Sequence, residues 1–292
     1  MIFRQTELAP GLYLVATPIG NARDITLRAL DVLASADLIA AEDTRTARKL
    51  MEIHGIPVKG RRFLAYHDHS GAGARNRVVA AVLAGQSVAY LSEAGTPLLA
   101  DPGYRLVAEM RAAGGAVTAL PGASALLAAL AVAGLPTDRV HFSGFLPAAQ
   151  GARRTALAGL ADIEATLVLY ESPKRVHELL IDLCETHGTE RPVAICRELT
   201  KKFEEVVQGT AADLRDRFAD RPPKGEVVVL IDRAAPRAGD DSAVKAALRE
   251  ALAHMRIRDA ADAVAGALGR PRRDVYQLAL GLKENGDDGD GD

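Results

Sequence analysis

Val88-Ala89-Tyr90-Leu91-Ser92-Glu93-Ala94-Gly95-Thr96-Pro97 is a short apolar run that breaks into a loop carrying glycine and proline. The pattern recurs. Residues 116–120 run into Pro121-Gly122-Ala123-Ser124, and near the start residues 12–16 run into Thr17-Pro18-Ile19-Gly20-Asn21. The first two loops feed segments of helical periodicity, which is the strand, loop, helix order of an α/β sheet. In such sheets the strand ends and helix N-termini form a crevice for a small ligand. Glycine permits positive φ or a close backbone approach, and proline fixes its own φ, so these loops read as rigid. Each loop taken singly reads equally well as a tight turn without a ligand. Three of them can converge on one site.

Working outward, residues 26–35 and 44–54 have helical spacing, with Gly55 stopping the second, and residues 38–41 and 63–66 read as strands. Helices are expected at 76–84 and 103–113. The alternation predicts a largely parallel first sheet. After an alanine-rich helix at 123–133 a second series begins, with strands at 166–170, 193–197, 205–208 and 226–231 and helices at 175–186 and 211–218. The strand at 205–208 leaves little room for a crossover, so this second sheet is expected to be mixed. A linker at 234–239 precedes a purely helical piece: Ser242 as the cap of 243–255, then 258–268 ended by Gly269, then 275–282. The expected division is 1–121, 122–235, a helical appendage at 236–285 and an acidic tail at 286–292 that cannot bury a core.

Bulk composition excludes more than it assigns. A chain of 292 residues, 48% hydrophobic and 25% charged, is long enough for two cored domains and a small extra piece. No apolar run reaches the ~20 residues of a membrane span. The first residues lack the pattern of a secretory signal, so a cytoplasmic location is expected. Cys184 and Cys196 read as plain buried thiols, and no metal is expected. The net charge of -2 does not advertise a nucleic-acid binder, although setting aside Asp287, Asp288, Asp290 and Asp292 of the tail moves it to +2. Five arginines against two aspartates give residues 256–273 a local +3, which reads as RNA contact or as an ordinary solvated surface. Gly71-Ala72-Gly73-Ala74-Arg75-Asn76 lacks the third glycine of a dinucleotide fingerprint.

Spaced motifs extend the pattern along the chain. Leu14 to Asn21, Ala41-Glu42-Asp43-Thr44-Arg45, Glu93 to Pro97 with Asp101-Pro102-Gly103, and Pro121 to Ala125 are followed by Gly144-Phe145-Leu146-Pro147. Tyr170-Glu171-Ser172-Pro173, Arg197-Glu198-Leu199-Thr200-Lys201-Lys202 and Lys224-Gly225-Glu226 complete the series. Together, over residues 11–233, they resemble the small-subunit ribosomal RNA cytidine 2'-O-methyltransferases. The resemblance implies a tetrapyrrole-methylase fold: two α/β domains with a cofactor cleft between them, plus a small C-terminal helical unit of helix-turn-helix type. It implies S-adenosyl-L-methionine as cofactor and small-subunit ribosomal RNA, naked or in the 30S subunit, as substrate. A homodimer is implied as well, and neither DNA nor a membrane as partner. Two other readings stand beside it: a small-molecule methylase of the tetrapyrrole type, and a non-catalytic RNA-binding assembly factor.

By this resemblance Pro18, Glu93, Ala94, Gly95, Thr96, Pro97, Pro121, Gly122, Ser124 and Ala125 are the expected cofactor-binding positions. Glu171 and Gly225 are expected to flank the remainder of the cofactor. Glu93 stands where the family usually has aspartate, one methylene shorter. On the acceptor side, Asp43 reads as a base or ribose anchor and Arg45 as a phosphate clamp, or else Asp43 merely caps the helix that follows. His67, in His67-Asp68-His69, reads as a base or as loop structure. His67 and His69 on an extended stretch point to opposite faces, which argues against a shared metal. Arg153, Arg154, Lys174, Arg175, Lys201 and Lys202 are expected either to face RNA or to be solvated.

Overall fold

The computed structural model describes residues 2–66, 72–100, 103–234 and 241–284. Residues up to Arg233 form one compact unit containing two five-stranded sheets, and the remainder forms a second unit.

The first sheet contains β1 (Gly11–Val15), β2 (Leu38–Ala41), β3 (Arg62–Ala65), β4 (Ser87–Leu91) and β5 (Val117–Leu120) in the order β3-β2-β4-β1-β5. Every pairing is parallel. All five residues of β4 are buried, as a central parallel strand covered on both faces requires. The coverings are α1 (Leu27–Ser35), α2 (Thr44–Ile53), α3 (Ala72–Leu83) and α4 (Tyr104–Ala112). One face packs Leu30, Leu33, Ile39 and Met51, and the other packs Val78, Tyr90, Leu106 and Met110. Local chemistry sets the helix ends. Thr26 accepts from the Ala29 amide to start α1, and Gly55 follows α2 at φ +71°.

The second sheet is mixed, as its short connections predicted. It contains β6 (Val140–Phe145), β7 (Thr166–Glu171), β8 (Pro192–Arg197), β9 (Glu205–Thr210) and β10 (Val227–Ile231) in the order β6-β7-β10-β8-β9. Only β6 and β7 pair in parallel. The helix α5 (Ala125–Val132) covers one face together with Ile19. On the other face lie α6 (Gln150–Leu160), α7 (Val176–His187) and α8 (Ala211–Arg217).

Neither β6 nor α6 is visible in the sequence pattern, for separate physical reasons. A bulge between Phe142 and Gly144 breaks the two-residue alternation of β6, with Gly144 at φ +63°. The inward face of α6 carries Arg153 beside Leu157, so its apolar period is interrupted by a charge. The expectation that Arg153 faces RNA or solvent is therefore wrong. Its side chain is 1% exposed, donates to Asp182 at 2.6 Å and also donates to the Ala148 carbonyl. Arg154 joins the same carboxylate at 2.7 Å. A buried pair like this persists because removing either partner strands the other charge.

In the second unit, α9 (Asp241–Leu252), α10 (Ile257–Leu268) and α11 (Arg272–Glu284) pack around Leu248, Ala260, Ala261, Val275 and Ala279. The expected stop at Gly269 is a left-handed cap at φ +61°. The first helix begins two residues earlier than expected, so Ser242 lies inside its first turn rather than at its cap. The acidic tail and most of the linker lie outside the described residues. Among the described residues no helix is long and apolar enough to cross a membrane.

Candidate functional site

The three loops meet. Thr17 and Gly95 exchange backbone hydrogen bonds of 2.9 and 3.0 Å, which ties the loop after β1 to the loop after β4. Thr96 Oγ1 donates to the Ala123 carbonyl at 3.0 Å and ties the second loop to the third. Gly95 sits at φ +79°, and a Cβ there would stand 3.3 Å from Ile19 Cγ2, so the glycine is required by both backbone and space. Gly122 has a packing reason instead: a Cβ would come within 2.8 Å of the Ala16 methyl group.

A cavity of about 390 Å³ opens beside this junction, within the range of small-molecule sites. One wall is the loop run Ala94 to Thr96 with Ser124 and Ala125 at the start of α5. The opposite wall comes from the second sheet: Phe145, Tyr170, Glu171, Cys196 and the Gly225 to Val228 strand entry. Seven expected cofactor positions therefore share one cavity: Ala94, Gly95, Thr96, Ser124, Ala125, Glu171 and Gly225. Pro18, Glu93, Pro97, Pro121 and Gly122 are not in its lining. Pro97 is buried, whereas Glu93, Pro121 and Gly122 are exposed.

Two leucines line the cavity from strained loops that carry no glycine signal. Leu99 is flanked by Leu98 at φ +73° and Ala100 at φ +62°. Leu199 is flanked by Glu198 at φ +52° and Thr200 at φ +67°. Left-handed non-glycine residues cost roughly 1–2 kcal/mol each and gather at ligand clamps. The second loop is braced: Lys201 Nζ is 2.8 Å from both Glu198 and Glu226, and Thr200 Oγ1 accepts from the Asn21 amide at 3.2 Å. Lys201 is thereby committed to the cavity wall rather than presented to RNA. Gly225, at φ +84°, leaves the space that the Glu198 carboxylate occupies.

Two polar atoms in the lining are buried without a hydrogen-bond partner, Ser124 Oγ and Glu171 Oε2. Burial raises the Glu171 pKa, against the opposing pull of the Ser172 amide on Oε1 at 2.7 Å and of Arg175. Arg175 Nη2 stands 3.2 Å from Oε2 but donates to the Leu146 and Pro147 carbonyls. Arg175 is thus turned inward, another correction to the RNA-facing expectation, while Lys174 and Lys202 are exposed. Cys196, on the same wall, is pushed up to about 11 by burial, so it is a thiol and not a nucleophile. Cys184 is only half-buried.

On the acceptor side Asp43 is the N-cap of α2 and accepts from the Arg45 amide at 2.7 Å. The Arg45 guanidinium folds back on the same carboxylate, Nε at 3.1 Å from both oxygens and Nη2 at 2.7 Å from Oδ2. These bonds lower the Asp43 pKa to about 2, which leaves it a feeble base. Arg45 is 90% exposed, its charge supported by Asp43 first and by the field of Glu93. The capping role and the arginine pairing coexist in one carboxylate. His67 and the Asp101-Pro102 pair lie outside the described residues.

Orphaned acceptors on an otherwise apolar, loop-walled cavity fit a ligand such as S-adenosylmethionine, which carries hydroxyl and amino donors and a positive centre. Comparison with known proteins agrees. Residues 11–215 match the sequence model of the tetrapyrrole (corrin/porphyrin) methylases, and residues 238–283 match that of the RsmI C-terminal HTH domain. The ribosomal RNA small subunit methyltransferase I of Mesorhizobium japonicum is 47% identical over 97% of this chain and 96% of its own length. That of Xylella fastidiosa is 42% identical over 91% and 98%. Among solved structures, the uroporphyrin-III C-methyltransferase of Thermus thermophilus complexed with S-adenosyl homocysteine superposes with a TM-score of 0.53 at 18% identity, covering 76% of this chain and 97% of its own. That likeness establishes the fold, and the near full-length identities establish the lineage: the chain belongs to the ribosomal RNA small subunit methyltransferase I family, with S-adenosylmethionine as its methyl donor.

Proposed function

We propose that this chain transfers a methyl group to the ribose 2'-oxygen of a cytidine in small-subunit ribosomal RNA near the decoding centre. The observation that carries the reading is identity of 47% running through 97% of the chain, helical C-terminal unit included. When bound, S-adenosylmethionine would supply an electrophilic methyl carbon, its thioether sulfur leaving in line as the acceptor oxygen bonds to that carbon. The protein's task is then mainly to position: the cross-tied loops hold one wall of the cavity rigid, and the hydrogen bond from the Asn21 amide to Thr200 joins them to the Leu199 loop. Ser124 Oγ and Glu171 Oε2 orient the donor's polar groups, and Phe145, Leu99 and Leu199 keep water from the reacting atoms. Arg45 grips a phosphate beside the target ribose, with Asp43 holding its guanidinium in place. The proton of the 2'-hydroxyl goes to a group that titrates near neutrality. His67 fits this better than Asp43, whose pKa is about 2.

The test is transfer of labelled methyl to naked rRNA, small subunits and a tetrapyrrole offered side by side. Label is expected in a cytidine ribose of the RNA or the subunit, and label only in the tetrapyrrole overturns the reading. A homodimer and a cytoplasmic location belong to the same proposal. In support of the dimer, α5 is apolar all round yet buries only Ala129 fully, leaving Leu127 63% exposed. Leu127→Glu is expected to shift sedimentation from dimer to monomer. An unchanged dimer would remove α5 from the interface.

A further inference from the structure

The chain's positive charge is unevenly spread. Residues 44–62 hold Arg45, Arg48, Lys49, Lys59, Arg61 and Arg62 against Glu52 alone, a net +5, so the rest of the chain carries -7. Two of these cations are occupied by the fold: Arg61 donates to the Ala34 and Ala36 carbonyls, and Arg62 to Gln86 Oε1 at 3.3 Å. The others are arranged differently. Ala47 and Met51 bury the inner face of α2, while positions 45, 48 and 49 recur at the three- and four-residue spacing of one outer face. Arg48 is not a loose side chain. Its guanidinium lies 3.8 Å over the Phe63 ring of β3, which holds its plane while leaving donors at its rim. Lys49 and Lys59 are exposed, and among the described residues no carboxylate pairs with Arg48, Lys49 or Lys59. Elsewhere in the same unit Arg75, Arg139, Arg197, Arg215, Arg217 and Arg233 each stand in an ion pair.

Position gives this strip a direction. Arg45 begins it: the Glu42 amide donates to the Leu91 carbonyl at 3.2 Å, which sets the start of α2 beside the end of β4 and the loop that runs on to cavity-lining Ala94. With Nε and one side of Nη2 spent on Asp43, the outer edge of the Arg45 fork is left for another planar or tetrahedral anion. An edge strand is often guarded by cations against pairing, which accounts for charge on and beside β3. That account does not reach Arg45 and Lys49, which stand on the helix.

Resting on the rRNA reading, we infer that the outer face of α2, continued by Lys59, is a docking surface for the phosphodiester backbone of the RNA substrate, leading the strand to the cavity mouth at Arg45. The surface belongs to the α/β unit. The probe is small-subunit rRNA, titrated with the full chain between about 50 and 200 mM salt. The variant combines Arg48→Gln, Lys49→Gln and Lys59→Gln. Its slope of log affinity against log salt is expected to flatten by about 2, three contacts at about 0.7 each, with affinity falling about tenfold near physiological salt. S-adenosylmethionine binding by calorimetry and thermal melting should match the parent. A charge-preserving variant, Arg48→Lys with Lys49→Arg and Lys59→Arg, is expected to keep the slope, which a purely structural role of the Arg48 and Phe63 stack would not allow. Unchanged slope and affinity in the glutamine variant, with the parent still methylating rRNA, overturns the docking surface alone. A parent that neither binds nor methylates rRNA overturns the substrate reading, and this inference with it.

Discussion

Arg45→Gln is expected to lower kcat/KM for the RNA substrate by about 100-fold while the affinity for S-adenosylmethionine stays within about threefold. The separation follows from placement. Arg45 is outside the cavity lining and 90% exposed, so the methyl donor does not depend on it, but its fork is fixed by three bonds to Asp43 before any substrate arrives. A preset guanidinium loses little freedom on taking a phosphate, and its loss lets the target ribose wander by the ångström that in-line transfer does not tolerate. Arg45→Lys should recover little, because a point charge cannot hold Asp43 and a phosphate on two edges at once. Asp43→Asn separates the two roles of the carboxylate: asparagine caps a helix as well as aspartate, so α2 persists, while the ion pair is gone. A fall of about tenfold in turnover is expected for Asp43→Asn, with only the small drop in melting temperature that losing a surface ion pair brings. Parent-level turnover would return Asp43 to the role of cap alone.

The pH profile carries the same distinction. The Arg45 side chain and amide lower the Asp43 pKa to about 2, so the stabilising effect of its ionised form is present above the unfolded aspartate range and is lost only as the pH falls through about 2. Between pH 5 and 9 the group does not change charge. An acid limb in kcat/KM near neutrality therefore belongs to another group, and it is expected to persist in Asp43→Asn and to vanish in His67→Gln.

How much of this was legible beforehand depends on which physical signal a residue leaves. Alternation of strand and helix is written in periodicity, so the parallel first sheet and the order of its strands' connections could be read directly. Gly95 was legible because a backbone at φ +79° demands glycine. Leu99 and Leu199 were not, since their neighbours hold the left-handed region with ordinary side chains, and beside Leu199 the strain is sustained by the Lys201 bracing. Arg153, Arg175 and Lys201 show the converse failure. Charge in a sequence reads as surface, and only the fold reveals that Asp182, the Leu146 and Pro147 carbonyls and Glu198 were waiting for those cations. The basic face of α2 was missed because positions 45, 48 and 49 gather on one side only once the helix forms and buries Ala47 and Met51.

Glu171→Gln is expected to make the protein more stable and less able to bind its methyl donor. The parent carboxylate is 1% exposed, and one of its oxygens lacks a hydrogen bond. Burial raises its pKa, and the Ser172 amide and Arg175 offset that only in part. For a carboxyl whose folded pKa exceeds the unfolded one, the favourable contribution is complete below the unfolded value and is lost as the pH rises through the folded value. Above that folded value the ionised group therefore opposes folding, and a neutral amide of the same shape relieves it, raising Tm there by about 2 °C. The gain should shrink to nothing as the pH drops below the ordinary glutamate value of 4.5, where the parent is protonated too. Affinity moves the other way, since an ionised acceptor facing the cavity is worth about 1.5–3 kcal/mol to a donor group on the ligand, roughly a 10- to 100-fold loss. The paired outcome is diagnostic. Were Glu171 only an anchor for Arg175, its amide variant would melt lower and bind S-adenosylmethionine as before. A higher melting temperature with weakened binding marks a charge retained at the expense of the fold because the ligand needs it.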